Sequence, residues 1–86
     1  MTQEHIKALR AFVIAKAKAY ATGAASYDHT CFTTAYAYAF IGADSTLRVH
    51  MALQDLEAEG LVEWHRPAAI PGYWRPTAKA AREVLS

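Results

Sequence analysis

The segment from Ser45 to Thr77 constrains this chain more than any other, because it prescribes a helix that runs directly into a basic β-hairpin. Ser45 stands where an N-cap would, and Val49, Ala52, Leu53 and Leu56 then recur at helical spacing. Gly60 follows the last apolar turn, where a left-handed residue ends a helix at little steric cost. Leu61, Val62 and Trp64 open an extended run, Pro71-Gly72 punctuates it, and Tyr73-Trp74-Arg75 runs back. Thr77 is placed to cap a last short helix over about 78–85.

Upstream, the pattern predicts a first helix over about 3–21 with Thr2 as its cap. It carries two apolar stripes, one through Ile6, Leu9, Val13, Ala17 and Tyr20, the other through Ala8, Phe12, Ala15 and Ala19. Gly23, Ser26 and Asp28 mark a loop, and Cys31-Phe32 reads as a short edge strand. Thr33 or Thr34 then caps a second helix over about 34–42, with Ala37, Phe40 and Ile41 facing inward. Gly42-Ala43-Asp44 makes the turn into the third helix, about 46–59, and the hairpin occupies about 61–76. The fold class is mostly α with a small β-hairpin, α+β, in one domain spanning 1–86.

Leu53, Leu56, Gly60, Leu61 and Val62 spell Leu-x-x-Leu-x-x-x-Gly-Leu-Val. With the hairpin and the Thr77 cap behind it, this phrase resembles the second half of winged helix-turn-helix domains, and the first half matches them in topology. The resemblance implies a three-helix core plus a C-terminal helix. It also implies a recognition helix over about 46–59 and a wing against the minor groove or adjacent phosphates.

Composition narrows the partners. A net charge of +1 does not announce a nucleic-acid binder, but its placement matters. Asp55, Glu57, Glu59 and Glu63 crowd one segment, whereas Arg66, Arg75, Lys79 and Arg82 follow with no acid between Trp64 and Arg82. Cys31 is the only cysteine, which excludes an internal disulfide and fits a reducing cytoplasm. No apolar run approaches the roughly 18 residues that span a bilayer, so no membrane partner is expected. The apolar fraction of 53% is rich in alanine, which buries little area per residue, so a homodimer that extends the core is attractive. Ala8, Phe12, Ala15 and Ala19 are its candidate interface, as a stripe beyond what one small core needs.

If Val49, Ala52, Leu53 and Leu56 face inward, Leu47, His50, Met51, Gln54 and Ala58 lie on the open side. Gln54 suits adenine, His50 can donate to a guanine acceptor or a phosphate, and Arg48 at the rim suits a phosphate. Arg66 and Arg75 on facing strands, with His65 beside them, form the electrostatic candidate of the hairpin. Trp64 and Trp74 read as packing residues of the sheet face. The candidate DNA contacts are therefore Arg48, His50, Gln54, His65, Arg66 and Arg75. Leu47, Met51, Gln54 and Ala58 instead suit a protein partner.

Catalysis has little support. His5, His29, His50 and His65 are scattered over different elements, His29-x-Cys31 is too sparse for zinc, and no glycine-rich phosphate loop exists. The expectation is a non-enzyme without cofactor or metal. With it goes the expectation of a small homodimeric regulator of a bacterium, archaeon or mobile element that occupies an operator in double-stranded DNA. The rival is a winged-helix protein-interaction module, such as a phage-encoded inhibitor of a host nucleoprotein complex. Aromatics Tyr20, Tyr27, Phe32, Tyr36, Tyr38 and Phe40 are expected to build the core around the first two helices.

Overall fold

A computed structural model describes residues 2–24, 30–66 and 72–83. Its elements are α1 (Gln3–Ala21), α2 (Thr34–Ile41), α3 (Thr46–Ala58), β1 (Val62–His65), β2 (Tyr73–Pro76) and α4 (Ala78–Arg82). The protein is thus mostly helical with one antiparallel hairpin. Among the described residues no helix is long and apolar enough to cross a membrane.

Each of these four helices starts on a hydroxyl that satisfies an otherwise orphaned backbone N–H. Thr2 accepts from His5 N–H at 3.2 Å while Thr2 N–H donates to His5 Nδ1, a reciprocal box closed by histidine in place of the usual Glu or Gln. Thr33 caps α2 by accepting from Tyr36 N–H, Ser45 caps α3 through Arg48 N–H, and Thr77 caps α4 through Ala80 N–H. Helix ends are equally specific. Past α3, Leu61 N–H donates to Leu56 O and Gly60 N–H to Glu57 O, the paired bonds of a Schellman turn. That turn requires the φ of +82° held by Gly60, and it brings the buried Leu56 and Leu61 together on the core side. Lys79 Nζ donates to Glu59 O at 2.6 Å, placing a cation on the carbonyl end of α3.

β1 and β2 pair with Glu63 opposite Arg75 and Trp64 opposite Trp74. Trp74 also exchanges both main-chain bonds with Phe32, so β2 is flanked on both sides although Phe32 forms only an isolated bridge. Because the Trp74 N–H and C=O point at Phe32, Trp64 and Trp74 form a non-hydrogen-bonded pair, the kind that brings side chains closer. Their rings lie 4.8 Å apart.

The core gathers Leu9, Phe12, Val13 and Ala17 of α1, Ala37 of α2, and Val49, Leu53 and Leu56 of α3. Phe32, Ala43, Leu61, Val62, Trp74 and Ala80 complete it. Several expectations need correction. Phe12 is only 6% exposed, sitting 5.0 Å from the Phe32 ring and 4.8 Å from that of Phe40, so it belongs to the core and cannot anchor a partner. Phe40 does not face inward: it is 65% exposed. The two-turn α2 approaches the core through the fully buried Ala37, and its larger rings Tyr36 and Phe40 ride out along α1. Ile6 and Tyr20, at the two ends of the first stripe, are exposed, as is Tyr36. Of the six aromatics, Phe32 is buried and Tyr38 packs on the core from its edge. Tyr27 lies outside the described residues, as do Ser26 and Asp28 of the loop and Pro67 and Pro71 of the hairpin. The last helix is shorter than expected, ending at Arg82 with Glu83 already extended.

Candidate nucleic-acid interface

The solvent face of α3 is a single stripe. Leu47, Met51, Gln54 and Ala58 follow one another at i, i+4, i+7 and i+11, and all four are exposed. This stripe exists because Val49, Leu53 and Leu56 are drawn into the core on the opposite side. Leu47 and Met51 are 67% and 55% exposed and lie one turn apart, so they present adjacent apolar surface to solvent. Gln54 has no hydrogen bond to another described residue, leaving its amide available at the centre of the stripe.

Arg48 is exposed beside this face and has no ion pair among the described residues. It sits one turn from Asp44, whose carboxyl is held below the usual carboxylate range by a backbone hydrogen bond at Asp44 itself, with Arg48 adding a weaker pull.

His50 departs from the expected open position. It is half-buried, with Nδ1 3.0 Å from Thr34 Oγ1 and its ring edge-on to Trp64 at 5.6 Å and tilted on Trp74 at 5.4 Å. Trp74 Nε1–H donates to the same Thr34 oxygen at 3.0 Å. Four residues from α2, α3, β1 and β2 therefore meet in one polar-aromatic cluster that joins the hairpin to α3. Trp64 covers it, 38% exposed, and lies so close to Gly72 that a Cβ there would overlap the indole.

The hairpin cations are less available than the sequence implied. Glu63 Oε2 accepts from Arg75 at 3.2 Å and from His65 at 3.3 Å, so one carboxylate ties two of the three expected contacts to each other. His65 also stacks on Tyr73. The cross-strand register forces this pairing by placing Glu63 opposite Arg75. Arg66 is exposed and, among the described residues, without an ion pair. Acid at the C-terminal end of α3 is partly spent within the fold: Glu59, its C-cap, pairs with Arg10 of α1 at 2.8 Å, and Glu57 accepts from Trp64 N–H.

The structure thus joins Arg75 and His65 through Glu63 and gathers His50 into the Trp64–Trp74 cluster, while Arg48, Gln54 and Arg66 are exposed and joined to neither group among the described residues. Two participants escaped the sequence reading. Glu63 had its signal in the hairpin register, and Thr34 in the tandem threonines, where one caps α2 and the other is left for a different task. On the first helix Ala8 and Ala15 are exposed and Ala19 is half-buried. A cavity of about 640 Å³ opens between α1, β2 and α4, lined among others by Ala17, Ala21, Ala81, Arg75 and Arg82. Comparison of the chain with protein-family models, with curated proteins and with solved structures finds no match to any of them.

Proposed function

We propose that this protein is a winged helix-turn-helix protein that binds double-stranded DNA and regulates transcription by occupying an operator. The observation that carries the reading is the exposed stripe of α3, presented at the end of a helix–turn–helix unit and fixed to a hairpin by the His50 cluster. In this reading α3 enters the major groove, Gln54 addresses a base edge and Arg48 a phosphate. The hairpin lies along the backbone with Arg66 as its principal contact, and Arg75 and His65 join when Glu63 releases them. A second copy would bring a second α3 to a half-site one helical turn away. The surface left for it is Ala8, Ala15 and Ala19 beside the exposed Tyr36 and Phe40, not Phe12.

One observation favours a second reading, a protein-binding module of the same fold. Leu47 and Met51 form the largest exposed aliphatic surface of α3, and Glu63 neutralises much of the hairpin charge. Mobility of random duplex DNA at low and at physiological salt separates the two. A regulator retards the duplex, more weakly as salt rises; absence of retardation even at low salt leaves the protein-binding reading.

A further inference from the structure

His50 is the one member of the α3 face that the fold holds from inside. Its Nδ1 contacts Thr34 Oγ1, and that oxygen already accepts the Trp74 indole N–H, a group that can only donate. A hydroxyl has a single proton to give, and Thr34 has no further hydrogen-bond partner among the described residues. Thr33, not Thr34, supplies the cap of α2, so capping does not compete for the Thr34 hydroxyl. The arrangement that satisfies all three groups has Trp74 donating to Thr34 and Thr34 donating to Nδ1. Were Nδ1 to carry the proton, Thr34 would accept twice and its own O–H would find no acceptor among the described residues. Trp64 and Trp74 flank the imidazole and oppose a ring flip, which would set a carbon against Thr34. Nε2 has no partner among the described residues, and no buried side-chain nitrogen or oxygen among them lacks one, so Nε2 meets solvent.

We propose that Thr34, backed by Trp74, locks His50 in its Nε2–H tautomer and makes it an outward hydrogen-bond donor that selects guanine. The guanine assignment rests on the DNA-binding reading above; the tautomer does not. In the major groove guanine offers two acceptors and no donor, N7 and O6, whereas cytosine offers a donor, adenine sets an amino donor beside its N7, and thymine has the single acceptor O4 crowded by its methyl. A ring fixed as donor therefore rejects cytosine and favours guanine over adenine. Thr34 is a positioning residue in this scheme, acting through His50.

The test has two arms. The first is ¹⁵N NMR of histidine-labelled protein at about pH 8, where imidazoles are neutral. The expected spectrum shows His50 with a protonated Nε2 and a bare Nδ1. Thr34→Val should return His50 to a tautomer mixture and Thr34→Ser should restore the lock. A wild-type His50 protonated on Nδ1 overturns the lock, and this result stands even if Thr34→Val fails to fold. The second arm takes duplexes selected for binding and replaces each guanine by 7-deazaguanine. At one position wild-type affinity should fall about tenfold, and Thr34→Val should lose most of that sensitivity. A locked tautomer with no sensitive guanine overturns the base assignment. If no duplex is bound, the DNA reading fails and takes the guanine with it, while the tautomer is decided by the first arm.

Discussion

Trp64 and Trp74 meet at 4.8 Å on facing strands, their rings tilted by 56°, yet truncating them should have very different effects. Trp74 is 1% exposed, donates its indole N–H to Thr34 and stands at the junction of β1, Phe32 and α3. Trp74→Ala removes the transfer free energy of a large ring and leaves a cavity, together about 3–5 kcal/mol. For a chain of this length, total stability at about 0.05–0.15 kcal/mol per residue is roughly 4–13 kcal/mol, so this single change consumes a large share of it. Trp64 is 38% exposed and covers the cluster from outside. Full burial of a large apolar side chain contributes about 1.5–3 kcal/mol, and discounting the exposed fraction leaves about 1–2 kcal/mol for Trp64→Ala. Urea unfolding followed by far-UV circular dichroism measures both without relying on tryptophan emission. With the slope unchanged, the midpoint should fall roughly two to three times as far for Trp74→Ala as for Trp64→Ala. Equal losses, or a larger one at Trp64, would refute the assignment of Trp74 as the buried pivot between hairpin and α3.

Glu63→Gln should strengthen binding to random duplex by removing the carboxylate charge that Arg75 and His65 share, and steepen the salt dependence by about 0.9 in log–log slope per new phosphate contact. An unchanged slope would take these side chains off the DNA backbone. Gly60→Ala forces a Cβ into a φ of +82° and should cost about 1–2 kcal/mol in thermal or urea unfolding; a loss of a few tenths would mean α3 ends by a different turn. Phe40→Glu charges a ring that is 65% exposed, so a dimer closed over α1 and α2 should dissociate into folded monomers in light scattering. Wild-type protein that is already monomeric at micromolar concentration would end the homodimer.

The second half of the fold was legible because its signals are local. Ser45, Gly60 and Thr77 each act within one turn of their position, and the Leu53–Leu56 spacing sets the phase of α3 without reference to anything distant. Phe12 and Phe40 were misplaced for the opposite reason. Whether a ring on an alanine-rich helix points into the core depends on which neighbour takes the closest approach, and Ala37 takes it. His50 belongs to the same class: helical phase alone set it on the open side, and only the packing of Trp64 and Trp74 from the hairpin draws it inward. The electrostatics of the hairpin followed register rather than composition. An acid just ahead of a basic run looked separate from it in sequence, and the antiparallel fold brought Glu63 directly opposite Arg75.

The central claim, that the exposed α3 stripe reads DNA, is tested most directly at Gln54. Duplexes enriched from a random library by the wild-type protein are titrated by fluorescence anisotropy against wild type, Gln54→Ala and Met51→Glu, alongside an unselected duplex. A sequence reader enriches a consensus, and Gln54→Ala then weakens specific binding by about 1–3 kcal/mol while leaving the unselected duplex unaffected. If no consensus emerges and DNA binding is indifferent to Gln54, while Met51→Glu abolishes capture of a specific protein partner, the stripe is a protein-docking face and the DNA reading is wrong.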